Sequence, residues 1–517
     1  MQGQGMNVRG KKRKQIRIYR RKRWVDSGEG IVQLRTRVYR RRKGQKPPRK
    51  DPGPRPLPKP QKPSRPAGPQ PFGTYRGHFG RVEATRLLNR AGFGPGPGQA
   101  ERLASLGLRK AVLSLTRASG PARFAGPEPV DEDGLPLAPF DSWGHDHLWW
   151  LDRMVRTDQP FRERMALVFH DWFATSNASV SQQRQMIDQY WTLRDGAAGT
   201  FDDLLLNLTR DPAMLQWLDG GDNTKWSPNE NYAREMMELF TLGADRGAYS
   251  ETDVREAARA LTGWQYDWDD DLGNHNFRFE PEYHDGGRKK IFGQRGNWDW
   301  KDVCRLCVTH PLHASFFVEK LWSYFVPAGP SKDTREALVR LYLESGRRIL
   351  PVVEAILQHP DFYRGPPMVK PPVVFNASLL KALKMPITTS DWAWLGDAAG
   401  QQLFLPPNVA GWDDDHWLDT STVRARWLMV TYALESRAHE AWDDSYRDSE
   451  STREALNRAL AEYGWPALRS DHQNELVAMS NRIPGHIEDD WQRRPYLAMR
   501  QNALLQLIPS SPDFQLS

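Results

Sequence analysis

Ser227-Pro228-Asn229-Glu230-Asn231-Tyr232-Ala233-Arg234-Glu235-Met236-Met237-Glu238-Leu239-Phe240-Thr241-Leu242-Gly243 reads as one helix with its own start and stop signals. Ser227 is a good N-cap, Pro228 fits the first helical position, and Glu230 stands where a capping-box carboxylate reaches back. Gly243 can take the left-handed conformation that closes a helix. Tyr232, Met236, Leu239 and Phe240 recur at helical spacing, so the segment is predicted to pack into a helical body. Asn231, Glu235 and Glu238 fall on a second face.

Two carboxylates one helical turn apart repel one another unless a cation lies between them, so Glu235 and Glu238 need an Arg, a metal ion or a substrate. The next segment offers one. Ser250-Glu251-Thr252-Asp253 is a capping box, and the helix it opens carries Arg255 and Arg259 before Thr262-Gly263-Trp264 breaks it. The helical hairpin is expected to bring Arg234, Arg255 or Arg259 to the glutamates. Such a cluster either fixes helix register or carries chemistry, because structural ion pairs perturb carboxylates as readily as active sites do.

Outward from this hairpin, periodicity predicts a mainly α, multi-helix globular body over residues 75–440. Helices are expected near 81–91, 97–117, 143–157, 160–174, 180–195, 200–209, 299–308, 311–326, 332–345, 350–358, 371–384 and 421–437. Residues 264–298 interrupt the pattern. Asn274-His275-Asn276, Phe277-Arg278-Phe279-Glu280, His284-Asp285-Gly286-Gly287 and Lys289-Lys290-Ile291-Phe292-Gly293 read as a small β/loop insertion, placed to wall the glutamates. Residues 441–517 return to polar helical patterning and read as a C-terminal helical extension.

Two segments of different character precede the body. Residues 1–50 hold 19 Lys+Arg against 2 Asp+Glu, or +17, so the +8 of the whole chain conceals a remainder of −9. Residues 1–46 form a basic arm, either a β-hairpin or disordered: Ile16 and Ile18 alternate with Arg17 and Tyr19, Asp26-Ser27-Gly28-Glu29-Gly30 supplies a turn, and Val32, Leu34, Thr36 and Val38 alternate again. Residues 47–74 are a Pro-rich linker, whose 11 prolines between 47 and 71 favour polyproline II. Residues 9–50 suit a polyanion or nucleic acid, through phosphate contacts with occasional stacking.

A composition of 39% hydrophobic and 26% charged residues is that of a soluble globular protein. No run of about 18 or more apolar residues predicts a transmembrane helix. No apolar stretch follows the N-terminal charges as in a Sec signal, so a soluble, cytoplasmic chain is expected. Cys304 and Cys307 are too few for a disulfide framework. The sequence has no P-loop, dinucleotide fingerprint, nucleophile elbow or zinc ribbon, which argues against nucleotide hydrolysis, hydride transfer and serine-hydrolase chemistry.

For a divalent metal, the candidate ligands are His170, late on an amphipathic helix, and His284, in the loop after the glutamates. His145-Asp146-His147 alternates like a two-His clip, but no H-E-x-x-H spacing occurs. A metal-free alternative uses Glu235 or Glu238 as acid or base on a sugar, Asp285 or Asp219 as the second carboxylate, and Trp264, Trp268 and Trp298 as stacking platforms. The catalytic candidates are thus Glu235, Glu238, Arg259, Asn231, His284 and Asp285.

Several motifs occur in order over roughly residues 80–435, and together they are specific where each alone is weak. They are Leu88-Asn89-Arg90-Ala91-Gly92-Phe93-Gly94, Trp149-Trp150-Leu151 through Arg162-Glu163-Arg164-Met165, Asp211-Pro212-Ala213-Met214, the Asn229 to Gly243 stretch, Ala257-Ala258-Arg259-Ala260-Leu261-Thr262-Gly263-Trp264, Lys370-Pro371-Pro372 and Pro406-Pro407-Asn408-Val409-Ala410-Gly411-Trp412. On these the chain resembles the bacterial family called domain of unknown function 1800. The resemblance implies a mainly helical fold, a sulfatase-like partner and frequent export, with no established activity. Trp172 and Phe240 stand where members often have His, which weakens a metal site built there. Here a basic arm replaces the members' export signals. Cys304 and Cys307 take the place of apolar residues and read as core side chains. Three functions are compatible with these residues: a helical protein with a buried Glu/Arg/Asn/His centre acting with a sulfatase-like protein, a hydrolase on a polysaccharide or ester, and a non-catalytic scaffold tethered to a polyanion by its arm.

Overall fold

The computed structural model describes residues 22–25, 33–36, 72–270, 272–441, 450–483 and 489–517. Met1–Arg65 and Pro66–Ser517 are separate units. In the first, Lys22–Val25 pairs antiparallel with Gln33–Thr36, Val25 opposite Gln33. The rest of the expected 14–42 hairpin, its turn included, lies outside the described residues.

The second unit is mainly α-helical, and its helices follow the predicted segments closely because their ends are written locally. Ser250 caps Glu251–Ala260 through a capping box with Asp253, and Asp299 does the same with Asp302 for Trp300–Val308. Residues 97–117, predicted as one helix, form two, Gln99–Leu106 and Leu108–Thr116. Gly107, at φ +73°, separates them.

The glutamate segment departs further from expectation. Its helix starts at Asn231, since Ser227 donates its backbone N–H to the Thr224 carbonyl in a turn and the Ser227/Glu230 capping box does not form. From Met236 to Thr241 the backbone is a π-helix, with N–H groups reaching the fifth carbonyl back; Leu242 donates to Met237 at 2.9 Å. Gly243, at φ +88°, closes it as predicted. In the insertion, Trp264–Asp269 pairs antiparallel with Gly273–Phe279, and Lys289–Ile291 with Gln294–Gly296.

Two hydrophobic cores form the interior. The first gathers residues such as Leu87, Phe201, Met236, Phe240, Leu261 and Phe317, with Cys304 and Cys307 among them. Burial pushes the Cys304 thiol up to about 12, so it behaves as a small core side chain beside the Thr209 hydroxyl at 3.2 Å. The second joins Trp150, Phe375, Phe404 and Met429 to Leu456, Leu460, Leu504 and Ile508 of the C-terminal helices. No helix among the described residues is long and apolar enough to cross a membrane.

One helix serves both cores. Pro160–Trp172 sends Phe161, Met165 and Phe169 into the first and Ala166 and Leu167 into the second, and is buried on nearly every side. It nevertheless carries Glu163, whose carboxylate accepts the Tyr190 hydroxyl at 2.5 Å and Arg194 Nε at 2.8 Å. Glu163→Ala strands Arg194 in the core and is expected to cost about 3–5 kcal/mol. The urea midpoint measures this, and an unchanged midpoint would show that the pair does not support the helix.

Candidate functional site

The residues singled out from the sequence fall into separate networks. Asn231 Nδ2 donates to Asp219 Oδ2 at 2.5 Å. Arg234 pairs with Glu230 at 3.0 Å and with Glu251 at 2.7 Å, so its direct ion pairs go to neither Glu235 nor Glu238. Among the described residues Glu238 accepts only a long 3.4 Å bond, from the Tyr249 hydroxyl. Glu235 is half-buried, and burial together with Glu238 raises its carboxyl.

Arg259 binds Asp285 at 2.7 Å and Glu256 at 2.8 Å. Burial pushes the Asp285 carboxyl up, but the Arg259 hydrogen bond and the Gly287 N–H outweigh it and hold the group below the usual range. His284 Nδ1 lies 2.9 Å from the Thr262 carbonyl, and Lys289 Nζ donates to the carbonyls of Asp285, Gly287 and Trp298. These contacts fasten the insertion to the end of helix Glu251–Ala260. Of the expected stacking platforms, Trp264 is packed against Phe279 and Trp300, whereas Trp268 is exposed.

His170 sits in the second core, its ring against Trp150, Phe404 and Trp412, and burial beside His147 lowers its pKa to about 3. His284 packs instead on Phe279, at the first core. Among the described residues no group of three His, Cys, Asp or Glu side chains is placed to hold a metal ion.

A different cluster lines a cleft of about 540 Å³, at whose centre stands Asp171, the penultimate residue of helix Pro160–Trp172. Its Oδ1 accepts the Trp412 backbone N–H at 2.9 Å and its Oδ2 the Tyr324 hydroxyl at 2.8 Å. The first bond depends on a local turn. Asn408 Oδ1 accepts the Ala410 N–H at 2.8 Å, Gly411 takes φ +97°, and a Cβ there would lie 2.7 Å from the Asp171 carbonyl oxygen. Burial raises the Asp171 carboxyl, opposed by the Trp412 N–H, Tyr324 and Lys320 and reinforced by Asp414.

Cations stand beside this carboxyl. Burial lowers Lys320 to about 8 against the attraction of Asp171. Arg164 is 5% exposed and lines the cleft; its Nε donates to the Arg90 carbonyl at 3.2 Å, and its other N–H groups have no acceptor among the described residues. Arg90, by contrast, is spent on the carbonyls of Phe325, Phe362, Pro366 and Ser517.

The π-helix supports the same place through its backbone. Its Leu239 carbonyl accepts Lys320 Nζ at 3.4 Å, its Phe240 carbonyl accepts Trp172 Nε1 at 3.3 Å, and its Thr241 carbonyl lies 2.9 Å from His313 Nδ1. Lys320 Nζ in turn lies 5.4 Å from the Trp172 ring centre. Trp172 and Phe240, the two positions where the resemblance expects His, thus meet beside Asp171.

Over residues 86–516 the chain matches the family described as protein of unknown function DUF1800. The chain belongs to that family. No curated protein and no solved structure matches it. In this DUF1800 chain four of the motifs quoted from the sequence reach the cleft, through Arg90, Arg164, Pro371 and Trp412, although they lie far apart along the chain.

Asp171, Lys320 and Tyr324 were not among the sequence candidates. Asp171 stands on a mostly apolar helix that also carries Arg162, Glu163, Arg164 and His170, so no local signal singles it out, and Lys320 and Tyr324 lie on and just after helix His313–Ser323. Tyr324→Phe removes a bond that favours ionised Asp171, so the carboxyl pKa is expected to rise further. A carbon-13 NMR titration of the Asp171 side chain follows this, and an unmoved or lower pKa would show that the bond is not made.

Proposed function

We propose that the cleft is an active site for acid–base cleavage of an anionic ester or glycoside. Arg164 and Lys320 hold the anionic group, Asp171 exchanges the proton beside Tyr324, and Asp414 supplies a second carboxyl on the wall. The observation that carries this reading is the Arg164 guanidinium, deeply buried yet with only its Nε hydrogen-bonded among the described residues. A free guanidinium fork matches a carboxylate, sulfate or phosphate by two parallel hydrogen bonds. Burial raises Asp171 and lowers Lys320, drawing both toward neutrality, where proton exchange is most efficient.

In this reading Asn231 and Glu235, on the α-helical turn before the π-helix, and Glu238, on the π-helix, take no part in the chemistry, and Arg259, His284 and Asp285 hold the insertion. A sulfatase-like partner is part of the proposal, since such a protein and this cleft would both meet anionic esters. The +17 arm would act as a tether to polyanions, with binding that weakens steeply as salt rises.

Asp171→Asn is expected to lower turnover of an acidic polysaccharide or sulfate ester by about 10²–10⁴-fold. Arg164→Met should weaken inorganic sulfate binding about 10-fold or more, as loss of a charge-assisted hydrogen-bond pair does. Wild-type affinity should fall as pH rises past about 8, where Lys320 loses its charge. Calorimetry that finds equal sulfate affinity in wild type and Arg164→Met would overturn the reading.

A further inference from the structure

A second cavity, of about 320 Å³, is divided from the cleft by a ribbon in which residues 366–371 pair with the C-terminal residues. Met368 and Ser517 exchange backbone hydrogen bonds, and Lys370 N donates to the Gln515 carbonyl at 2.9 Å. Along this ribbon Met368, Val369 and Pro371 line the cleft, whereas Lys370, Phe514 and Leu516 line the second cavity.

Lys370 is only 4% exposed, and its ammonium lies 4.4 Å from the centre of the Phe514 ring. Among the described residues that ammonium makes no hydrogen bond and no ion pair. Its charged neighbour is another cation, Arg426, also buried, which donates to Gln515 Oε1 at 3.1 Å and to the Lys370 carbonyl at 2.8 Å while its Nε finds no acceptor among the described residues. Asp513, the one carboxylate side chain on the cavity lining, is engaged elsewhere: it accepts the Arg469 backbone N–H and pairs with His472, both at 2.7 Å.

Two adjacent buried cations with no carboxylate between them are costly, and an anion is the group that offsets that cost. Burial and Arg426 lower the Lys370 ammonium to about 7, so near neutral pH it is partly uncharged, and an anion bound beside it would draw the proton back. The Asn89 amide, which has no partner among the described residues, lies on the wall shared by this cavity and the cleft and adds a neutral donor.

We propose that this cavity is a second ligand site, for a small molecule bearing a carboxylate or phosphate group that Lys370 holds by ion pairing and Asn89 by hydrogen bonding. It does not depend on the function assigned to the cleft. The test is thermal unfolding of the full-length chain in inorganic phosphate or malonate against chloride at equal ionic strength, done in an Arg164→Met background so that the cleft contributes little.

A Tm rise of about 1–3 °C at saturating anion is expected. Adding Lys370→Met should abolish it. So should Val82→Trp, which adds bulk to the cavity lining at a residue 58% exposed and leaves Lys370 in place. A response to phosphate alone identifies a phosphate ester as the ligand class, and a response to malonate alone a carboxylate. A rise that persists with both Lys370→Met and Val82→Trp, or no rise over chloride, overturns the proposal.

Discussion

A helix buried on nearly every side cannot carry charge without partners, and Pro160–Trp172 carries Glu163, Arg164 and Asp171. Each charge is met differently, and each solution draws in another part of the chain. Glu163 takes Arg194 and Tyr190 from the next long helix. Arg164 takes the carbonyl of Arg90, and Asp171 takes a hydroxyl from Tyr324 and an N–H from Trp412. The first is satisfied inside the core. The second and third remain partly open to a cleft, and that difference separates a structural ion pair from a place where chemistry can occur.

The π-helix is the second device. An α-helix directs each carbonyl to the fourth N–H ahead, and moving to the fifth alters where the last carbonyls point. Leu239, Phe240 and Thr241 give theirs to Lys320, Trp172 and His313. The segment that dominates the sequence is therefore tied to the cleft by main chain, while its glutamates lie on another face, where Arg234 is already engaged by Glu230 and Glu251.

Much of the fold was legible because it is local. The capping box at Ser250, the closing Gly243 and the strands of the insertion each rest on residues within a few positions of one another. Cys304 and Cys307, read as core side chains because the resemblance puts them in place of apolar residues, are buried in the first core. Ser227 misled, since a turn with Thr224 competes for the same residues, and the shift to π geometry left no mark in the periodicity. The pairing of Glu235 and Glu238 with arginine failed because Arg259 had nearer acids in Glu256 and Asp285.

By itself the sequence determined a helical body with a small β insertion, the family to which it belongs, and the location of most helix ends, because those depend on hydrophobic spacing and short-range hydrogen bonds. Only the tertiary structure decided which polar groups meet. Asp171 reaches a hydroxyl 153 residues away and an N–H 241 residues away. Contacts of that separation arise from packing two cores around one buried helix, and no local pattern encodes them.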